Sequence, residues 1–143
     1  MREYNFIDTN ILIYSTLEDD LKKNEAANKI LNEKPNLFIS NQIIFEYINS
    51  VTDNALFEYP LTLDNALANI DRYLLFIQVV ENHNIDYLEL KKVVTKYNID
   101  KTQLFDLNIY LIMKLNDISN LITFNTNNFE MFRDISVICP IED

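Results

Sequence analysis

The stretch Tyr4-Asn5-Phe6-Ile7-Asp8-Thr9-Asn10-Ile11-Leu12-Ile13-Tyr14 decides the fold. Its first apolar run predicts a buried strand over residues 4–7, and its second predicts a short helix over 10–17. Asp8 separates the two runs. Ligands of open parallel α/β sheets bind beyond the carboxyl ends of the strands, which makes Asp8 a candidate site residue. The tripeptide 8–10 also fits an ordinary helix N-cap, so this stretch alone leaves both interpretations open.

Strands and helices alternate along the rest of the chain. Further strands are predicted at 37–39, 76–80, 121–124 and 135–139, and further helices at 20–33, 42–54, 62–74, 86–97 and 104–115, the last with Thr102 as its cap. This order predicts βαβ units, and therefore an α/β fold: a three-layer α/β/α sandwich with a mainly parallel sheet of about five strands. With 143 residues and no linker or repeat, the chain is expected to form a single domain over 1–143.

The composition excludes several classes of protein. The chain has no glycine, which excludes the P-loop and the dinucleotide-binding loop. The net charge of −10 argues against broad, nonspecific binding to nucleic acid, which relies on Lys and Arg. A single cysteine allows no internal disulfide and favours a reducing, cytoplasmic setting. We also expect no secretion signal and no membrane span.

Three acidic residues stand in otherwise apolar surroundings. Asp8 ends the first predicted strand, Glu46 lies within the apolar segment 43–48, and Asp106 is the only charge in the segment 104–113. Each also has a purely structural interpretation, because Glu46 suits the exposed side of an amphipathic helix and Asp106 suits the positive end of a helix. Together, however, their positions direct three carboxylates toward one edge of the sheet.

Carboxylates that lie close together repel one another unless something compensates their charge. A divalent cation is the usual compensation, and oxygen ligands suit Mg²⁺ or Mn²⁺. Such a site activates water for in-line attack on phosphorus and needs no histidine or cysteine nucleophile. The only histidine, His83, is accordingly interpreted as a residue of a surface loop.

With these features the chain resembles the PIN-domain nucleases, and among them the VapC-like toxins of bacterial toxin–antitoxin pairs. The resemblance rests on the segment 6–14, on Glu46, on Phe105-Asp106 and on the segment 122–129, which occur in the family's order. It implies a metal-dependent endoribonuclease, with RNA as substrate, a cognate antitoxin as partner and a homodimeric assembly. It places the acidic quartet at Asp8, Glu46, Asp106 and Asn128, with supporting polar groups at Asn10, Thr123 and Asn125.

One departure from the family concerns the last position of the quartet. The family usually has Asp immediately before the Phe of its last motif, where this chain has Asn128. An amide keeps an oxygen ligand but loses the charge, so it binds a second metal ion more weakly. A second hypothesis is therefore a PIN-like domain with weak or no catalysis that acts as a protein- or RNA-binding module. A phosphatase resembling the haloacid dehalogenases fits less well, because that family wants a second Asp where Asn10 stands.

The surface that faces RNA is poorly specified by the sequence. Tyr47 and Tyr59 are candidates for stacking on bases, although most aromatic residues of the chain are expected in the core. Three lysines of the predicted helix 86–97 either contact phosphates or form a solvated face, and the neighbouring acidic residues favour the solvated face.

Overall fold

The computed structural model describes residues 3–80 and 86–141, so His83 lies outside the described residues. The strands are β1 (Asn5–Ile7), β2 (Leu37–Ser40), β3 (Ile77–Val80), β4 (Asn120–Ile122) and β5 (Ser136–Ile138). The helices are α1 (Thr9–Thr16), α2 (Leu21–Glu33), α3 (Asn41–Val51), α4 (Leu63–Tyr73), α5 (Tyr87–Tyr97) and α6 (Leu104–Leu115). Two 3₁₀ turns span Lys101–Gln103 and Thr126–Phe129. Within the described residues, no helix has both the length and the apolar character needed to cross a membrane.

The strands form one sheet in the order β3-β2-β1-β4-β5, and every neighbouring pair is parallel. Phe6 of the central strand β1 lies opposite Phe38 of β2 and Leu121 of β4. The chain proceeds outward from β1 in both directions, so the carboxyl ends of β1, β2 and β4 border a crevice at the point where the strand order reverses. The predicted α/β fold with a five-stranded parallel sheet is confirmed.

The core lies on both faces of β1 and β4 and is closed by α1, α3 and α6. Phe6 and Leu121 are completely buried, as are Ile11 of α1 and Leu107 of α6. Tyr47 of α3 is also completely buried, and its hydroxyl shares a 2.7 Å hydrogen bond with the hydroxyl of Thr16. Tyr47 therefore belongs to the core, and the prediction that it could stack on bases is wrong.

The start of α6 differs from the prediction that Thr102 caps it. Instead, the Asp100 carboxylate accepts a 2.8 Å hydrogen bond from the backbone N–H of Thr102. The side chain of Gln103 in turn accepts a 3.0 Å bond from the backbone N–H of Asp100, which closes a capping box around the 3₁₀ turn. Asp100 is the capping residue because its carboxylate is a stronger hydrogen-bond acceptor than the Thr102 hydroxyl. α6 then follows without a side-chain cap of its own.

Several elements near the carboxyl edge are shorter than predicted or shifted along the chain. β4 ends at Ile122 rather than at residue 124, because the Asn10 side chain accepts a 3.2 Å hydrogen bond from the Phe124 N–H. The helical turn predicted over 128–132 is the 3₁₀ turn Thr126–Phe129. α3 ends at Val51, three residues before its predicted end.

Candidate active site

Asp8 occupies both of the positions that the sequence left open. It follows β1 at the sheet edge, and it is the N-cap of α1, where its Oδ1 accepts a 2.7 Å hydrogen bond from the Thr9 N–H. Its Oδ2 accepts a 2.8 Å bond from the Thr123 hydroxyl. Burial raises the pKa of Asp8; the bonds from Thr123 and Thr9 lower that pKa, and the Glu46 charge raises it again. The capping role therefore does not remove Asp8 from the crevice.

Asn10 joins the loop after β4 to the first turn of α1. Its Nδ2 lies 3.1 Å from the Thr123 hydroxyl and 3.4 Å from Asp8 Oδ2, and it donates to both. The Thr123 hydroxyl oxygen also accepts a 3.0 Å bond from the Asn125 N–H. The polar residues expected to support the site thus surround Asp8 and fix the position of Asn125.

Glu46 is reached from two sides by neutral donors. It lies on α3, and its Oε2 accepts a 2.6 Å hydrogen bond from the Thr9 hydroxyl. Its Oε1 accepts a 2.6 Å bond from Nε2 of Gln42, one helical turn earlier. The half-buried Glu46 therefore does not point freely into solvent, as the amphipathic interpretation would require.

Asp106 lies in the first turn of α6 and faces the other two carboxylates. Its pKa is raised to about 6, first by burial and then by the charges of Asp8 and Glu46. Within residues 3–80 and 86–141, no hydrogen bond or ion pair engages its carboxylate. Among the residues that the structure describes, no cation therefore neutralises the like charges nearby.

One cavity of about 300 Å³ collects these side chains. Its lining consists of Asp8, Thr9, Asn10, Ile13, Glu46, Asn49, Ser50, Asp106 and Asn125, with no Lys, Arg or His among them. Asn128 does not belong to this lining, and its side chain is exposed in the turn Thr126–Phe129. The structure thus brings together the three predicted carboxylates and Asn125, and it leaves Asn128 outside.

The side chains that line this cavity have the oxygen atoms that a hard divalent cation prefers as ligands. Three carboxylates and the amide of Asn125 could supply oxygen ligands, and none of the lining residues named above carries a competing positive charge. In the described part of the chain, however, no group of three or more His, Cys, Asp or Glu side chains is already arranged to hold an ion. Both oxygens of Glu46 are engaged by hydrogen bonds from Thr9 and Gln42.

Gln42, Asn49 and Ser50 are residues of the site that were not predicted from the sequence. Gln42 and Glu46 are four residues apart on one helix, a spacing that places two side chains on the same face. That spacing was an available signal for Gln42. Asn49 and Ser50 follow Glu46 along α3 and carry no comparable signal.

The family model of the PIN domain matches residues 6–135, which is most of the chain. The chain belongs to the PIN domain family. The resemblance expected from the sequence is confirmed, and the family is one of nucleases that generally use divalent metal ions. No sequence of a curated protein matches this PIN domain.

Solved structures of similar fold include toxin–antitoxin proteins. VapBC2 of Rickettsia felis, bound to a DNA fragment from its promoter, is 16% identical with a TM-score of 0.63, and the match covers 95% of this chain and 98% of the other. A toxin–antitoxin complex from Klebsiella pneumoniae is 21% identical with a TM-score of 0.62, over 97% and 99% of the two chains. The sarcin-ricin loop cleaving toxin VapC20 of Mycobacterium tuberculosis is 17% identical with a TM-score of 0.57, over 82% and 86%. At these identities the likeness establishes the shared fold of the PIN domain.

Proposed function

We propose that this PIN domain is a metal-dependent endoribonuclease that hydrolyses RNA phosphodiester bonds as the toxin of a toxin–antitoxin pair. One observation carries the proposal: Asp8, Glu46 and Asp106 line one cavity, and its described lining contains no lysine, arginine or histidine. Confined carboxylates without a cation are the arrangement that a divalent ion stabilises. The similar fold of an RNA-cleaving toxin supports RNA as the substrate class.

Asp8, Asp106 and Glu46 are the proposed ligands of Mg²⁺ or Mn²⁺, and Asn125 is the proposed fourth ligand. Asn125 replaces Asn128 in this role because it lines the cavity, whereas Asn128 does not. When bound, such an ion lowers the pKa of a water and stabilises charge on the phosphate. Thr123 and Thr9 keep the Asp8 carboxylate directed at the cavity, and Thr9 and Gln42 orient Glu46.

The RNA is proposed to contact the protein through the ion and a few side chains rather than a broad basic surface. The net charge of −10 disfavours a long phosphate-binding track. Phe105, which precedes Asp106, is 70% exposed at the start of α6 and offers its ring to a base. Base–aromatic stacking contributes about 1–3 kcal/mol per base.

The proposed partners follow from the structures of similar fold. Two of those named above are toxin–antitoxin complexes, which supports a cognate antitoxin as a protein partner. A homodimer in the cytoplasm remains part of the same proposal.

A second candidate function is a PIN domain that binds protein or RNA without cleaving it. It is favoured by the lack, in the described residues, of a ready arrangement of three ligating side chains. The fourth polar ligand proposed for the cavity, Asn125, is also neutral, so the cavity holds one carboxylate fewer than the family's acidic quartet.

The deciding experiment is a calorimetric Mn²⁺ titration together with cleavage of a mixed-sequence single-stranded oligoribonucleotide. The wild type should bind Mn²⁺ and cleave the oligoribonucleotide, and Asp106→Asn should lose both the binding and the cleavage. Asp64→Asn is the matched control, because Asp64 also lies in the first turn of a helix but is exposed and does not belong to the cavity lining. A wild type that neither binds Mn²⁺ nor cleaves would favour the binding module.

A further inference from the structure

Two side-chain amides connect Glu46 to α6. Gln42 donates a 2.6 Å hydrogen bond to Glu46 Oε1, and the same Nε2 lies 3.3 Å from the backbone oxygen of Phe105, to which it also donates. The side-chain oxygen of Gln42 accepts a hydrogen bond from Nδ2 of Asn108. Asn108 lies on α6 two residues after Asp106, so this amide chain links the helices that carry two of the three carboxylates.

The orientation of the Gln42 amide follows from its partners. A glutamine amide has a donating end and an accepting end, and only the donating end favours a carboxylate. Glu46 and the Phe105 carbonyl both require a donor, and Asn108 supplies a donor to the opposite end. Turning the amide over would oppose oxygen to oxygen at Glu46 and at the Phe105 carbonyl, so these two acceptors set the orientation, and the donor of Asn108 holds it from the opposite end.

The bond from Thr9 alone would leave Glu46 free to rotate. A glutamate side chain has several rotatable bonds, and one hydrogen bond at Oε2 fixes a single atom of the carboxylate. The second bond, from Gln42 to Oε1, fixes the plane of the carboxylate as well. The two donors come from different elements, α1 and α3, so the carboxylate position is tied to the sheet edge.

We infer that Gln42 is a positioning residue for Glu46 in the proposed nuclease reaction, and that Asn108 acts through Gln42. This inference rests on the proposed function. Hydrogen-bond partners of ligating carboxylates orient those ligands, and their loss typically costs about 10–100-fold in metal affinity or activity. Neither amide needs to touch the RNA or the ion to have this effect.

The first test is Gln42→Met, which keeps the length of the side chain and removes the amide. We expect kcat for RNA cleavage to fall about 10–100-fold and the Mn²⁺ Kd to rise, with KM for RNA unchanged. Gln78→Met is the matched control, because Gln78 is exposed on β3 and outside the cavity lining. Wild-type kcat and Mn²⁺ Kd in Gln42→Met would overturn the positioning role.

The second test asks whether Asn108 works through Gln42. Asn108→Leu should reduce kcat, and the double variant Gln42→Met/Asn108→Leu should be no worse than Gln42→Met alone. Losses that multiply in the double variant would show that the two amides act separately, and would overturn the relay.

A third measurement does not depend on activity. Hydrogen exchange of the Gln42 side-chain amide, followed by NMR, should be slower than that of Gln78 in the wild type and should accelerate in Asn108→Leu. Equal exchange of the two amides in the wild type would overturn the relay itself. If the amide is protected but the wild type neither cleaves RNA nor binds Mn²⁺, the proposed function is overturned, and the positioning role with it. Amide exchange therefore distinguishes a failure of the relay from a failure of the proposed function.

Discussion

The Thr123 hydroxyl donates a 2.8 Å hydrogen bond to Asp8 Oδ2 and so joins the residue after β4 to the residue after β1. Thr123 is completely buried and Asp8 is 8% exposed, so little water is present to replace this bond. The same hydroxyl oxygen accepts hydrogen bonds from Asn10 and from the Asn125 N–H. A single threonine therefore fixes a carboxylate and the loop that carries Asn125.

Thr123→Val tests this arrangement, because valine keeps the shape and removes the hydroxyl. The loss of a hydrogen bond to a buried charged group should lower the free energy of unfolding by about 1–3 kcal/mol. The bond from Thr123 lowers the pKa of Asp8, so that pKa should rise in the variant and Mn²⁺ should bind more weakly. Urea denaturation and calorimetry measure the two effects. Thr123→Ser retains the hydroxyl and should keep most of the free energy of unfolding and of the Mn²⁺ affinity. Equal losses in the Ser and Val variants would show that Thr123 acts through packing rather than through its hydrogen bonds.

Asp106 gives the protein a pH dependence whose sign is fixed by its raised pKa of about 6. In the unfolded chain the pKa of an Asp is near 3.9. Between that pH and about 6, the folded protein binds more protons at Asp106 than the unfolded chain does, so the free energy of unfolding falls as pH rises. Asp106→Asn removes that loss. In metal-free buffer at pH 7 the variant should be about 1–2 kcal/mol more stable than the wild type, after allowance for solvent screening, and near pH 4 the two should be equal.

The measurement is urea denaturation across that pH range with a chelator present. Asp64→Asn again serves as the control, since it also removes a charge from the first turn of a helix, but at an exposed position. A stability difference between the wild type and Asp106→Asn that stays constant from pH 4 to 7 would show that the pKa of Asp106 is not raised by burial and by the charges of Asp8 and Glu46.

The fold was predictable because short-range sequence patterns determine the order of its strands and helices. Apolar runs alternate with helical periodicity from Phe6 to Ile138, and that order admits few arrangements other than a parallel sheet. The positions of Asp8, Glu46 and Asp106 followed from the same logic, because strand ends and helix starts meet at one edge. The prediction of a single domain remains a prediction.

The side-chain partners were not predictable in the same way. The bond from Asn108 to Gln42 joins residues 66 apart, and no local pattern encodes it. The cavity contains Asn125 rather than Asn128 because the turn Thr126–Phe129 determines which side chain faces inward. The Thr102 cap was wrong because the competing Asp100 lies only two residues away.

Asn125→Asp should tighten Mn²⁺ binding, since a carboxylate replaces an amide in the lining of the cavity. A gain of about 10-fold or more in affinity is expected, because charged oxygen ligands are preferred by hard cations. Asn128→Asp should change the affinity much less, because that side chain is exposed outside the lining. Calorimetric titration of both variants separates the two positions. A gain confined to Asn128→Asp would restore Asn128 as the fourth ligand and remove Asn125 from that role.

Phe105→Ala should weaken RNA binding without altering the chemical step. The ring is 70% exposed next to Asp106, and loss of about 1–3 kcal/mol of stacking raises KM roughly 5- to 160-fold with kcat unchanged. Tyr59→Ala is the comparison, because Tyr59 is 81% exposed but lies between α3 and α4, whereas Phe105 directly precedes the lining residue Asp106. Steady-state cleavage of a single-stranded oligoribonucleotide measures both parameters. A fall in kcat with KM unchanged would mean that Phe105 positions Asp106, whereas an effect of Tyr59→Ala alone would place the bases on the other exposed ring.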